Sequence, residues 1–150
     1  SDAPVEIQPE QRDAAAFDTY HNARFDYEIA YPPDILVPQE ESFNGDGRVF
    51  LSADGSVRLT CWGGFNVLNE TLKDILESQK DREGLEVTYE KTGSDWSVVS
   101  GFIGSDVYYA RAEMSGDVII QFEMTYPQKD KARMDPVVTV ISRSFKGGAG

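Results

Sequence analysis

A chain of 150 residues with 26 Asp and Glu against 14 Lys and Arg carries a formal net charge of −12, and so acidic a surface repels phosphate backbones and argues against nucleic-acid binding. The length suits a domain that buries about 70% of its unfolded surface in one core, and 40% apolar residues are too many for a disordered chain and too evenly spread for a membrane span. Its one cysteine, Cys61, excludes an intrachain disulfide and any cysteine-rich metal centre.

In chain order, residues 1–16 hold prolines and charges and read as a tether outside the fold; the start at Ser1-Asp2 rather than Met suits a processed chain. From Arg24 to Tyr31 the pattern has period two: Phe25, Tyr27, Ile29 and Tyr31 alternate with charged or small residues, as in a strand with one buried face, and Pro32-Pro33 ends it. Val49–Leu51 and Val57–Trp62 form a hairpin around Asp54-Gly55, a pair that accepts the positive φ values of a tight turn.

Leu68–Arg82 changes to helical spacing, with Leu68, Leu72, Ile75, Leu76 and Gln79 on one face. Asn69 reads as its N-cap and Gly84 as its stop, which places a helix over 69–82. A meander follows: Leu85–Tyr89, Trp96–Ser100, Val107–Met114 and Val118–Tyr126 are linked by short turns and are expected to be antiparallel neighbours. Val137–Ile141 is β-branched enough for a strand, but Met134, Val137, Val138, Ile141 and Phe145 also make a helix face. Asp135-Pro136 as N-cap and first position decides for a helix over 136–145. The last residues, 147–150, read as a glycine-rich disordered tail after a domain spanning 17–146.

Chemistry is sparse. Cys61 with His21, the lone histidine, would be the nucleophile and base of a thiol-dependent enzyme, although a cysteine between Thr60 and Trp62 in a strand suits core packing better. Asn44–Gly47 spaces oxygen ligands like part of a calcium loop but lacks the acidic residue that would close it, and a glycine-rich turn explains it better. Neither glycine-rich stretch has a phosphate-loop pattern, and Glu40-Glu41 reads as solvated charge rather than a paired-acid centre. Trp62, Gly63, Gly64 and Phe65 place two large aromatics beside flexible backbone and are the candidate binding lip; otherwise Trp62 ends its strand and Phe65 tucks under the following helix. No cofactor or metal is expected. The charge, net −9 in residues 1–75 and −3 beyond, leaves open an acidic immunity-type protein that binds a cationic partner.

Tyr20, Asn22, Arg24, Phe25, Tyr27, Ile29, Tyr31 and Pro32, then Gly45-Asp46-Gly47, Trp96-x-Val98-Val99-Ser100-Gly101, Phe122-x-Met124-Thr125-Tyr126-Pro127 and Ile141-x-x-Ser144-Phe145, form an ordered pattern over residues 20–146. It resembles exported bacterial proteins and lipoproteins of unknown function with the PsbP-like fold, shared with the extrinsic photosystem II subunit PsbP and a yeast Ran-binding nuclear import factor. Asp26 departs from the pattern, where Gly is usual. The resemblance implies an α+β fold, a central antiparallel sheet between helices (an α/β/α sandwich). It also implies a non-enzymatic accessory module of the cell envelope that binds a protein partner, exported to the periplasm or beyond, with a lipid anchor in the precursor. It transfers no site residue.

Overall fold

The computed structural model describes residues 16–148. Strands β1 (Asp18–Asn22), β2 (Tyr27–Tyr31) and β10 (Lys146–Gly147) form a three-stranded sheet in the order β1-β2-β10. Strands β3 (Val37–Pro38), β4 (Gly47–Leu51), β5 (Arg58–Phe65), β6 (Leu85–Thr92), β7 (Trp96–Ile103), β8 (Asp106–Ser115) and β9 (Val118–Pro127) form a seven-stranded antiparallel sheet ordered β3-β4-β5-β9-β8-β7-β6. Helix α1 (Leu72–Lys80) lies on one face of the large sheet; helix α2 (Lys131–Ser144) and the small sheet cover the other. This is the α+β sandwich expected from the sequence.

The meander reads as the alternation requires. Ile120, Phe122, Met124 and Tyr126 of β9 point to one face and join Leu59 and Cys61 of β5, Tyr27 and Ile29 of β2, and Met134, Val138 and Ile141 of α2 in the main core. An aromatic file runs through it: Tyr27 meets Phe145 at 5.8 Å, Phe145 meets Phe122 at 5.1 Å and Phe122 stacks on Tyr109 at 5.8 Å. The opposite face holds a smaller cluster of Ile75, Ala112 and Ile119 beneath α1.

Several boundaries differ from the sequence reading. Helix α1 starts at Leu72, not 69, because Thr71 and Asp74 close a capping box: Thr71 Oγ1 accepts from the Asp74 N–H and Asp74 returns the bond to Thr71 N–H. Asn69 has φ +52° and Leu68 is exposed, so the buried stripe shortens to Ile75 and Gln79. Helix α2 starts five residues before its expected Pro136, which lies inside it. Pro136 forfeits one intrahelical bond; burial of Met134 and the 2.7 Å bond from Tyr126 Oη to Asp135 offset that loss.

The strand expected over 24–31 starts at Tyr27. Arg24–Asp26 forms the turn, and Tyr20–Asn22, left without structure in the sequence reading, pairs across it as β1. Asp26 sits at φ +52°, in the left-handed region that glycine occupies most easily. Gly147, expected in the tail, pairs with Tyr27 in β10. Most of the expected tether, residues 1–15, lies outside the described residues, as do 149 and 150.

Candidate functional site

The turn after β1 is held by Asn22, an amide with no solvent exposure. Its Oδ1 accepts from the Phe25 N–H at 2.8 Å, while Nδ2 donates to Tyr20 Oη at 2.9 Å and to the Gly45 carbonyl at 2.8 Å. The β1–β2 turn is thereby tied to the loop before β4. Arg24 repeats the tie outside: it donates to the Asn44 carbonyl at 2.7 Å and lies 4.8 Å above the Phe25 ring. Phe25 lies flat against β5 because residue 63 is glycine; a Cβ there would stand 2.9 Å from Phe25 Cβ. Phe25 then meets Phe65 edge-on at 5.2 Å.

An exposed apolar lip surrounds this assembly. Phe65 is 58% exposed, and Val67, Leu68 and Phe43, the residue before Asn44, are exposed almost completely. Four of the six large apolar side chains that face solvent among the described residues therefore gather at one end of the molecule. The chain beneath them is pinned. Asn66 donates its N–H to the Asp117 carbonyl at 2.7 Å, and its side chain both accepts from the Glu70 N–H and donates to the Glu70 carbonyl. These apolar side chains are thus displayed on a fixed backbone rather than collapsed onto the fold.

The sequence reading placed the lip on Trp62, Gly63, Gly64 and Phe65, and the structure redistributes those residues. All four belong to β5, not to a loop, and Phe65 does not tuck under α1. Positions 62 and 65 differ by an odd number, so a strand sends them to opposite faces. Trp62 faces α1 and borders a cavity of about 180 Å³ with Gln79, Arg82, Tyr108 and Glu123. There Arg82 pairs with Glu123 at 3.2 Å, and Tyr108 Oη donates to the same carboxylate at 2.7 Å. Phe65 instead joins Phe43, Val67 and Leu68, which the sequence reading missed. Phe43 and Val67 carry only apolar character inside polar loops, and the spacing of Leu68 assigns it to the face of the following helix.

Cys61 and His21 are not brought together. Cys61 is buried; Tyr27 Oη donates to its sulfur at 3.6 Å and its thiol points to the Arg48 carbonyl at 3.7 Å. Burial pushes the thiol pKa up to about 11, the reverse of what a nucleophile needs. His21 is exposed and holds Asp26 at 2.8 Å. The native thiol is therefore expected to react with a disulfide reagent at neutral pH at least ~100-fold more slowly than a free cysteine, in line with its reduced thiolate fraction, and at the free rate in denaturant. Rapid labelling of the folded protein would contradict this environment.

Asn44–Gly47 is a turn that uses its own oxygens. Asn44 Oδ1 accepts from the Ser42 hydroxyl at 3.2 Å and the Asp46 N–H at 3.3 Å, and Asp46 Oδ1 accepts from the Ser42 hydroxyl at 2.7 Å. Of the neighbouring Glu40-Glu41 pair, Glu41 is the acceptor of a 2.5 Å bond from Tyr20 Oη. Among the described residues, no three His, Cys, Asp or Glu side chains converge on a point that would hold a metal ion.

No protein-family model matches the chain, and no curated protein matches it. Among solved structures, it is similar to the solution structure of cyanobacterial PsbP (CyanoP) from Synechocystis sp. PCC 6803, with a TM-score of 0.65 and 16% identity, covering 98% of this chain and 97% of that one. A crystal structure from Bacteroides thetaiotaomicron VPI-5482 matches with a TM-score of 0.49 and 13% identity, over 81% of this chain and 44% of that one. The likeness to cyanobacterial PsbP shows the fold: this is a PsbP-like α+β architecture.

Proposed function

We propose that the protein is a non-enzymatic accessory module that docks a protein partner on the Phe43–Phe65–Val67–Leu68 lip. The observation that carries this reading is that these four side chains, from the end of β5, the loop after it and the loop before β4, are displayed on a backbone fixed by Asn22, Arg24 and Asn66. The buried, high-pKa thiol of Cys61 supports a non-enzymatic role over a thiol-dependent one. Three acidic residues, Asp46, Glu70 and Asp117, lie next to it through backbone bonds to Gly63 and Asn66. That acidic setting favours a protein partner over an anionic lipid surface. The resemblance to exported bacterial proteins supports a place in the cell envelope, lipid-anchored in the precursor. No helix among the described residues is long and apolar enough to cross a membrane.

The test immobilises the protein and a Phe65→Asp/Leu68→Asp variant and exposes both to envelope extract at low and high salt. A partner is expected on the wild type at both salt levels, with affinity falling at least ~30-fold in the variant, as when a buried apolar anchor is lost from an interface. Equal capture by the variant would refute the lip. Capture that salt abolishes would favour the acidic immunity-type reading instead.

A further inference from the structure

Helix α2 packs mainly on β2, β8 and β9, toward one side of its sheet face. Two hollows of about 280 and 410 Å³ lie along the β6–β7 side and share Tyr109 and Thr139, so they form one continuous groove between α2 and strands β6 and β7. The larger hollow is walled by Trp96 and Tyr89, the latter 51% exposed, and three basic side chains line it: Lys91 of β6, Arg111 of β8 and Arg143 of α2. Two carboxylates flank the groove, each already paired: Glu113 with Arg111, and Asp135, which lines the smaller hollow, with Lys131. Arg111 is held in place, with its guanidinium 4.8 Å from the Trp96 ring and Nε donating to Glu113 at 3.0 Å. Lys91 and Arg143 have no acidic partner among the described residues.

In a chain of net charge −12, a hollow with two uncompensated cations, Lys91 and Arg143, beside the Arg111–Glu113 pair is a local reversal of sign. Coulomb attraction inside a groove is stronger than on an open surface, because protein replaces water on several sides. Guanidinium groups also match carboxylates in a fork that aromatic walls shield from solvent. The length argues for a chain rather than a small ion. Lys131, paired with Asp135, borders the far hollow and Arg143 the near one. Twelve helical steps between them span ~18 Å, which is five to six residues of extended chain at roughly 3.3 Å each.

We propose that the groove between α2 and β6–β7 binds an extended acidic segment of a partner protein, its carboxylates meeting Lys91, Arg111 and Arg143. This site shares no residue with the lip and stands or falls independently of it.

Trp62 and Trp96 are the two tryptophans of the chain, so in a Trp62→Phe background the emission of Trp96 reports on the groove. A capped hexaglutamate peptide is titrated at low salt, beside a hexaglutamine control. The glutamate peptide is expected to change Trp96 emission saturably and the glutamine peptide to leave it unchanged. Lys91→Glu/Arg143→Glu is expected to weaken the glutamate peptide at least ~10-fold with the melting temperature retained, since both side chains lack a partner to lose. Phe65→Asp/Leu68→Asp is expected to bind the peptide as the wild type does. The proposal is overturned if hexaglutamate gives no saturable signal, if the charge reversals leave its affinity unchanged, or if the lip variant loses it too. Displacement by inorganic phosphate at matched ionic strength would also overturn it, by showing a small-anion site in place of a peptide groove.

Discussion

Between pH 9 and pH 11 the protein is expected to lose up to roughly 5–6 kcal/mol of stability, because four buried tyrosines ionise far less readily inside the fold than in the unfolded chain. Tyr20, Tyr27, Tyr108 and Tyr126 are all less than a tenth exposed. Burial raises each hydroxyl's pKa well above the ordinary value, and acceptor carboxylates of Glu41, Glu123 and Asp135 push Tyr20, Tyr108 and Tyr126 further the same way. For a pKa raised in the folded state, the stabilisation is complete below the unfolded value near 10 and is lost as pH climbs toward the folded value. By pH 11 each unfolded tyrosine has gained about 1.4 kcal/mol from ionising while its folded counterpart has gained nothing. Cys61, raised to about 11, begins the same trend from pH 9. Urea melts at successive pH values, read together with tyrosinate absorbance, check this. Buried tyrosines that ionise near pH 10 while the melting profile stays intact would sink it.

Replacing Asn22 with Ala is expected to cost about 3–4 kcal/mol and to lower the melting temperature by roughly 10 °C. The side chain satisfies the Phe25 N–H, the Gly45 carbonyl and Tyr20 Oη at once, and it is fully buried. Removing it strands a buried donor and a buried acceptor, each about 1–3 kcal/mol. The same change is expected to weaken partner capture although Asn22 touches no partner, because it releases Arg24 and Phe25 from the Phe43–Asn44 loop. Phe43→Ala, which removes only an exposed ring, is expected to leave the melting temperature unchanged and to reduce capture. An Asn22→Ala protein as stable as wild type would show that the latch does not join the two loops.

Local alternation carried most of the fold. Val118–Tyr126 alternates cleanly because β9 is central and buried on one face, so nothing competes with period two. The face of α2 was legible for the same reason, yet its start was not: Pro136 is a strong local signal for a first turn, and only the burial of Met134 and the Tyr126–Asp135 bond override it. Strand β10 was invisible because two residues hold no pattern; its pairing with β2 joins positions more than a hundred residues apart.

The lip was half legible. Phe65 was singled out, but the parity of a strand separates it from Trp62, and one of its companions, Phe43, is brought by a loop that Asn22 and Arg24 tie down. The cationic groove had no sequence signature at all, since Lys91, Arg111 and Arg143 become neighbours only when α2 crosses the sheet.

The β1–β2 hairpin also fixes how the molecule can be handled. Asp18 pairs with Tyr31 at one end of the hairpin, and Gly147 pairs with Tyr27 at the other, beside the Arg24–Asp26 turn. Four strand steps of roughly 3.3 Å separate those ends. A surface or fusion attached ahead of Asp18 meets the fold on the side away from Phe25 and Phe65, leaving the lip accessible. The same attachment after Gly148 emerges against Asp26 and crowds it, so the two orientations on a sensor chip give opposite steric access to one partner.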